Sequence, residues 1–317
     1  VSLAACGGAG TPASGGTAAS AQTASVAYAG SLIYLSEKVL GPDFTSATGY
    51  KFSGRGAGSL TLSQEIASGE IAPNVFMSIG GKPIETLEPK FTSWYVQLAA
   101  SPLVLAYSPS SRFAPQLEAI GAERKPLGDL FTLLESPGFL LGRTDPNSDP
   151  QGQAFIEMLQ LATMKYGLPA GTVERILGGA PSGSTSPEIF DETALEPRLE
   201  AGQLDAASAY LSQAVQLHLH YIDLGPALDL GDPALKPDYA KAGFTLSDGK
   251  AVHGQPLVVD VTVIGSSDAK AADAFVAFLL SQHGLQDFSH NGYQLLPRTS
   301  FGNRVAIPAG IAAELGA

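Results

Sequence analysis

The sequence predicts an α/β protein with parallel sheets. Short apolar, strand-like runs alternate with helical patterns along most of the chain. The first two such runs each end in Gly-Ser and pass straight into a helix. No period of about 20–50 residues repeats, which excludes a solenoid or propeller.

In chain order, "SVAYA" is the first strand and Leu32–Leu40 the first helix. The segment "YKFSGRGAGSLTLSQEIASGE" repeats the design: strand "YKF", a glycine-rich turn, and a helix from about Ser59 to Ser68. "PNVFMSI" and "SPLVLAYS" read as buried strands, and "LLESPGFLLGRTD" as helix end, strand and loop. "PQGQAFIEMLQLATMKYG" is a long amphipathic helix, with Phe155, Met158, Leu159 and Ala162 at helical spacing. "EPRLEAGQLDAASAYL" reads helix, turn, strand. "LVVDVTVIG" is a strand, and "AKAADAFVAFLLSQHG" a helix that Gly284 would stop.

The chain has 317 residues, 44% of them hydrophobic, enough for two domains. Its formal net charge of −12 argues against nucleic acid or an anionic membrane surface as partner. A small anion is still possible, because local dipoles can build a site against the global charge. No apolar run is long enough to span a membrane. The single cysteine, Cys6, follows Leu3-Ala4-Ala5 and precedes Gly7, the pattern of a bacterial lipobox. Cys6 would then carry a lipid, and the Gly/Ala/Ser/Thr-rich stretch up to Ser25 would be a tether (1–25). A second acyl chain is usually needed for stable anchoring by lipid alone.

The twin Gly-Ser turns point to an anion. A strand that feeds a helix through Gly-Ser presents free backbone N–H groups at the positive end of the helix dipole. Gly30 and Gly58 let an anion approach the backbone, and Ser31 and Ser59 add hydroxyl donors. Serine also favours plain N-caps. Two such turns at one edge of a parallel sheet, where α/β folds bind ligands, favour the site.

"AYAGSL", "GSLTLSQEIASGEIAPNVFMSI", "GRTDPNSDPQGQAFIEMLQLA" and "LEAGQLDAASAYLSQAVQLHLHYIDL" occur in that order. Together they resemble the molybdate/tungstate-binding proteins of ABC importers, from about Val26 to Asn291. The resemblance implies a two-lobed, periplasmic-binding-protein-like (type II) fold, with a two-strand hinge and an oxyanion closed in the cleft. Lobe 1 would hold 26–107 plus 256–317 and lobe 2 would hold 108–255, with "LVLAYS" and "VVDVTVI" as the hinge crossings. It implies ligand contacts from Ser31 and Ser59, from a loop matching Asp149 to Gly152 that includes Gln151, from backbone near Glu192 and Thr193, and from Tyr210. An ionised oxyanion only accepts hydrogen bonds, so hydroxyl and N–H donors fit it. Where a subgroup of the family has a glutamate before the matching tyrosine, this chain has Ala209. A four-oxygen anion held by donors alone is therefore expected.

Other chemistry is weaker. His218 and His220 would share one strand face, but two residues are not a metal site. No P-loop, G-x-S-x-G or H-E-x-x-H is present. The expectation is a lipid-anchored, extracytoplasmic, monomeric solute-binding protein without catalytic activity or cofactor. Its partners would be a small oxyanion, molybdate or tungstate first, and an importer permease, with no nucleic acid. Sulfate, phosphate or a small carboxylate is the alternative ligand, and an enzyme or adhesive surface protein on the same fold the alternative class.

Overall fold

The computed structural model describes residues 23–183, 188–265 and 270–316, and only the backbone of residues 192 and 193. Cys6 and most of the expected tether lie outside the described residues. The strands are β1 (Thr23–Ala29), β2 (Lys51–Ala57), β3 (Val75–Ile79), β4 (Trp94–Ala100), β5 (Leu103–Tyr107), β6 (Leu141–Thr144), β7 (Ile189–Phe190), β8 (Ala206–Tyr210), β9 (His220–Asp223), β10 (Gly243–Thr245), β11 (Ala251–His253), β12 (Val258–Val263) and β13 (Gln294–Gly302).

They form two main sheets, one per lobe. The first runs β13-β4-β12-β3-β1-β2, the second β7-β6-β8-β5-β9, and β10 with β11 makes a small ribbon. β1 pairs in parallel with β2 and β3, as expected. β12 is antiparallel to both β3 and β4, because it enters the first sheet on its return from the second lobe. The sheets are therefore mixed rather than purely parallel. Each carries helices on its faces, so the central strands are buried throughout, as in "VFMSI" and "VVDVTV".

The chain changes lobe between β4 and β5 and again before β12. The two crossings are tied together, with the Ser101 N–H donating to the Leu257 carbonyl at 3.0 Å. β5, expected in the first lobe, hydrogen-bonds to β8 and β9 of the second sheet, so the crossing precedes that strand.

Three local readings are corrected by packing. The glycine-rich stretch after "YKF" is strand, not turn. Gly54 and Gly56 lie under the Tyr28 ring and the Ile33 side chain, which occupy the space a Cβ would need. Gly284 does not end a helix: the helix Lys270–Leu280 stops earlier. Ser281 then caps a second helix, Gln282–His290, which includes Gly284 because a Cβ there would strike the Phe278 carbonyl. His218 and His220 do not share a strand face. His218 has a left-handed backbone (φ 53°), and only His220 belongs to β9, where it packs on Tyr107.

Candidate oxyanion site between the lobes

β1 and β2 pair in register, Ala29 opposite Ala57. Both strands then turn into helical backbone after one glycine, at Gly30–Leu32 and at the helix Ser59–Ser68. Equal offsets from an in-register pair set Ser31 and Ser59 side by side at the C-terminal edge of the sheet. Both are buried, at 2% and 1% exposure. The Ser31 hydroxyl is sealed from water and has no hydrogen-bond partner. Tyr293 holds its backbone, the phenol donating to the Ser31 carbonyl at 3.1 Å. The Ser59 oxygen accepts the Ile79 N–H at 3.1 Å, which leaves its proton free to donate. Ile79 ends β3, so three parallel strands deliver their ends to one spot.

The second lobe closes over this edge. A Cβ on Gly58 would lie 2.9 Å from the Ser148 carbonyl and 3.4 Å from Asp149 Oδ2. The loop before the helix Pro150–Tyr166 therefore touches the turn that carries Ser59. Asp149 is the N-cap, its Oδ1 accepting the Gln151 N–H at 2.7 Å, and Pro150 opens the first turn. The helix Glu192–Glu200 packs against the Gly30–Leu32 turn from the same lobe.

The expected residues divide into four groups. Gly30, Ser31, Gly58, Ser59 and Asp149 come together. Tyr210 ends β8 opposite Leu103 and is almost fully buried. Glu192 opens the helix that covers Ser31, but its side chain lies outside the described residues. Gln151 turns its side chain into a buried network. Its amide donates to Gln213 Oε1 at 3.2 Å and its carbonyl accepts the Ser208 hydroxyl at 2.9 Å. Gln213 also accepts the Tyr210 N–H at 2.9 Å. This buried relay fixes the helix start against β8. Ala209 is buried on the same strand. It alternates with Ser208 and Tyr210 along the strand and packs with Leu195, Leu199 and Val104.

Sequence reasoning missed two residues. Tyr293 lies 262 positions from Ser31, and nothing in "NGYQLL" marks it. Glu196 reads as a solvated helix charge beside Pro197. In the fold it is 7% exposed, with Oε1 sealed and unpartnered. Burial pushes its carboxyl up to about 7, against a backbone hydrogen bond that lowers it and with nearby Asp149 and Glu200 adding to the rise. Its place next to the apolar stripe of Leu195 and Leu199 was the one available signal.

Two buried serines, the start of the helix Pro150–Tyr166 and the helix Glu192–Glu200 thus meet at one sheet edge. Residues 24–294 match the family model described as bacterial extracellular solute-binding protein. The chain belongs to that family. This solute-binding protein is 30% identical over 237 residues to the molybdate/tungstate-binding protein WtpA of Pyrococcus abyssi, covering 69% of this chain and 67% of the relative. It is 29% identical over 237 residues to WtpA of Thermococcus kodakarensis, covering 69% and 65%. The chain spans about two thirds of the length of these relatives. Among solved structures, the periplasmic molybdate-binding protein of Azotobacter vinelandii superposes with a TM-score of 0.55 at 17% identity, covering 86% of this chain and 99% of that one. The sulfate-binding protein SubI of Mycobacterium tuberculosis gives 0.54 at 13% identity, covering 93% and 96%. The solute-binding protein therefore has the two-lobed type II fold. Relatives of that fold take different anions, so the fold alone does not choose one. Among the described residues no helix is long and apolar enough to cross a membrane.

Proposed function

We propose that this protein binds a tetrahedral oxyanion, molybdate or tungstate, between its lobes and presents the closed form to an ABC importer permease. One observation carries the reading: Ser31 and Ser59 open helical segments from adjacent in-register strands, and the Ser31 hydroxyl is buried without a partner. A buried hydroxyl left without a partner costs about 1–3 kcal/mol, and an oxyanion would relieve that cost. The N-terminus of the helix Pro150–Tyr166 faces the same point from the second lobe, adding dipole and N–H donors. WtpA relatives bind molybdate and tungstate by name, which favours these larger anions over sulfate.

The ligand would bridge the lobes and hold them closed, the difference a permease can read. Cys6 would carry the lipid that keeps the protein at the outer membrane face, which mass spectrometry of the native protein tests directly. Calorimetric titration with molybdate, tungstate, sulfate and phosphate tests the ligand. Tight binding of either metal oxyanion, with weak or no binding of sulfate, is expected. Sulfate or phosphate binding more tightly than both overturns the choice of anion, and no binding of any of them overturns the site.

A further inference from the structure

Away from the cleft, one helix pair of the first lobe gathers three metal-ligating side chains. His283 and Asp287 lie four residues apart on the helix Gln282–His290, so both face the same side. Asp43 comes from the first turn of the helix Gly41–Thr48. One oxygen of each carboxyl and one imidazole nitrogen all lie within 4.8 Å of one another. His283 Nε2 is 3.5 Å from Asp43 Oδ2 and 3.9 Å from Asp287 Oδ1.

These separations are too long for good hydrogen bonds, which reach about 3.2 Å from a nitrogen donor. They suit the edge of a metal's ligand shell. A tetrahedral zinc with bonds of about 2.0–2.1 Å holds its donor atoms about 3.3 Å apart. The side chains of Asp43 and His283 are 41% and 55% exposed, so water can complete the shell from outside. The Phe278 ring meets the imidazole edge-on at 5.4 Å and limits its swing.

Asp287 adds an independent observation. It is only 8% exposed, and its Oδ2 is sealed from water without a hydrogen-bond partner. Its Oδ1 is the atom that turns toward His283. Among the described residues no lysine or arginine pairs with either aspartate, and His283 is the one group both of them meet. A carboxylate this buried is costly without a cation or a full set of donors. Imidazole beside carboxylate suits zinc and the neighbouring divalent transition metals, whereas magnesium and calcium take oxygen ligands.

We propose that Asp43, His283 and Asp287 form a site for a divalent transition-metal ion, zinc foremost, separate from the oxyanion cleft. His283 Nε2 and one oxygen of each aspartate ligate the ion. It clamps the helical run that begins at Ser31 to the helix that leads into Tyr293, whose phenol holds the Ser31 carbonyl.

Calorimetry with zinc chloride on chelator-treated protein, without molybdate, tests it. One zinc should bind in the micromolar range or tighter, and the melting temperature should rise with zinc by mass action. His283→Asn and Asp43→Asn, whose side chains reach solvent, should each weaken zinc binding by about tenfold or more, at least the scale of losing an outer-shell partner. His253→Asn, in β11, should leave it unchanged. Cobalt in place of zinc should give visible absorption bands that His283→Asn abolishes. Absence of zinc binding to folded wild type, or unchanged zinc affinity in either His283→Asn or Asp43→Asn, would overturn the assignment. Failure of the wild type to bind molybdate would count against the oxyanion reading alone and leave this one standing.

Discussion

Replacing Gly58 with alanine should damage ligand binding while sparing the fold. Its backbone, at φ −55° and ψ 135°, is open to any residue, so alanine strains nothing in the first lobe. The obstruction lies across the cleft, where the new Cβ would stand 2.9 Å from the Ser148 carbonyl. Comfortable carbon–oxygen contact begins near about 3.3 Å, so the lobes must part by about 0.4 Å. A backbone oxygen cannot rotate away as a side chain could. Overpacking of this kind costs about 1–3 kcal/mol. That corresponds to molybdate binding about 5- to 150-fold weaker. Calorimetry gives the affinity, and thermal melts without ligand should agree with the wild type to within about 0.5 kcal/mol, the scale of a neutral surface change. Wild-type affinity in Gly58→Ala would refute the reasoning, because closure against Ser148 would then play no part in holding the ligand.

The two serines should respond differently. Ser31→Ala removes a hydroxyl without an internal partner, so affinity should fall by about 1.5–3 kcal/mol with stability unchanged or slightly higher. Ser59→Ala also strands the Ile79 N–H, and should lose a similar affinity together with about 1–2 kcal/mol of stability; paired calorimetry and urea melts showing identical stability in both variants would contradict this. Glu196 gives a pH dependence. Its folded value of about 7 lies above the ordinary 4.5, so the folded state holds the extra proton between those values. Its contribution therefore falls as pH rises from about 4.5 to about 7 and is level above, a change on the order of 3 kcal/mol. Glu196→Gln should remove that slope, and a gap between variant and wild type that stays constant from pH 5 to 8 in urea melts would show that Glu196 keeps no proton.

The local grammar of this protein was legible in its residues. Gly-Ser after "VAYA" and after "SGRGA" marks strand ends that become helix starts, because glycine and serine there suit the turn and the cap whatever surrounds them. The donor chemistry at Ser31 and Ser59 follows from those turns, and the Asp149 cap from "DPQG". The long apolar strands and the helix Pro150–Tyr166 follow from periodicity alone. What lay beyond reach depends on partners distant in sequence. Only the register of β1 on β2 puts the two serines beside each other. Only the strand face settles that Tyr210 and Ser208 point one way and Ala209 the other. Gly54 reads as a turn residue until the Tyr28 ring is seen lying over it. Glu157, Glu196 and Asp260 are ordinary charges in the sequence. Burial, a property of the packed chain and not of any residue, is what raises the pKa of each. Local turns and periodicities are short-range and survive without context, whereas side-chain direction, burial and the approach of the two lobes are set by contacts that exist only once the whole chain has folded.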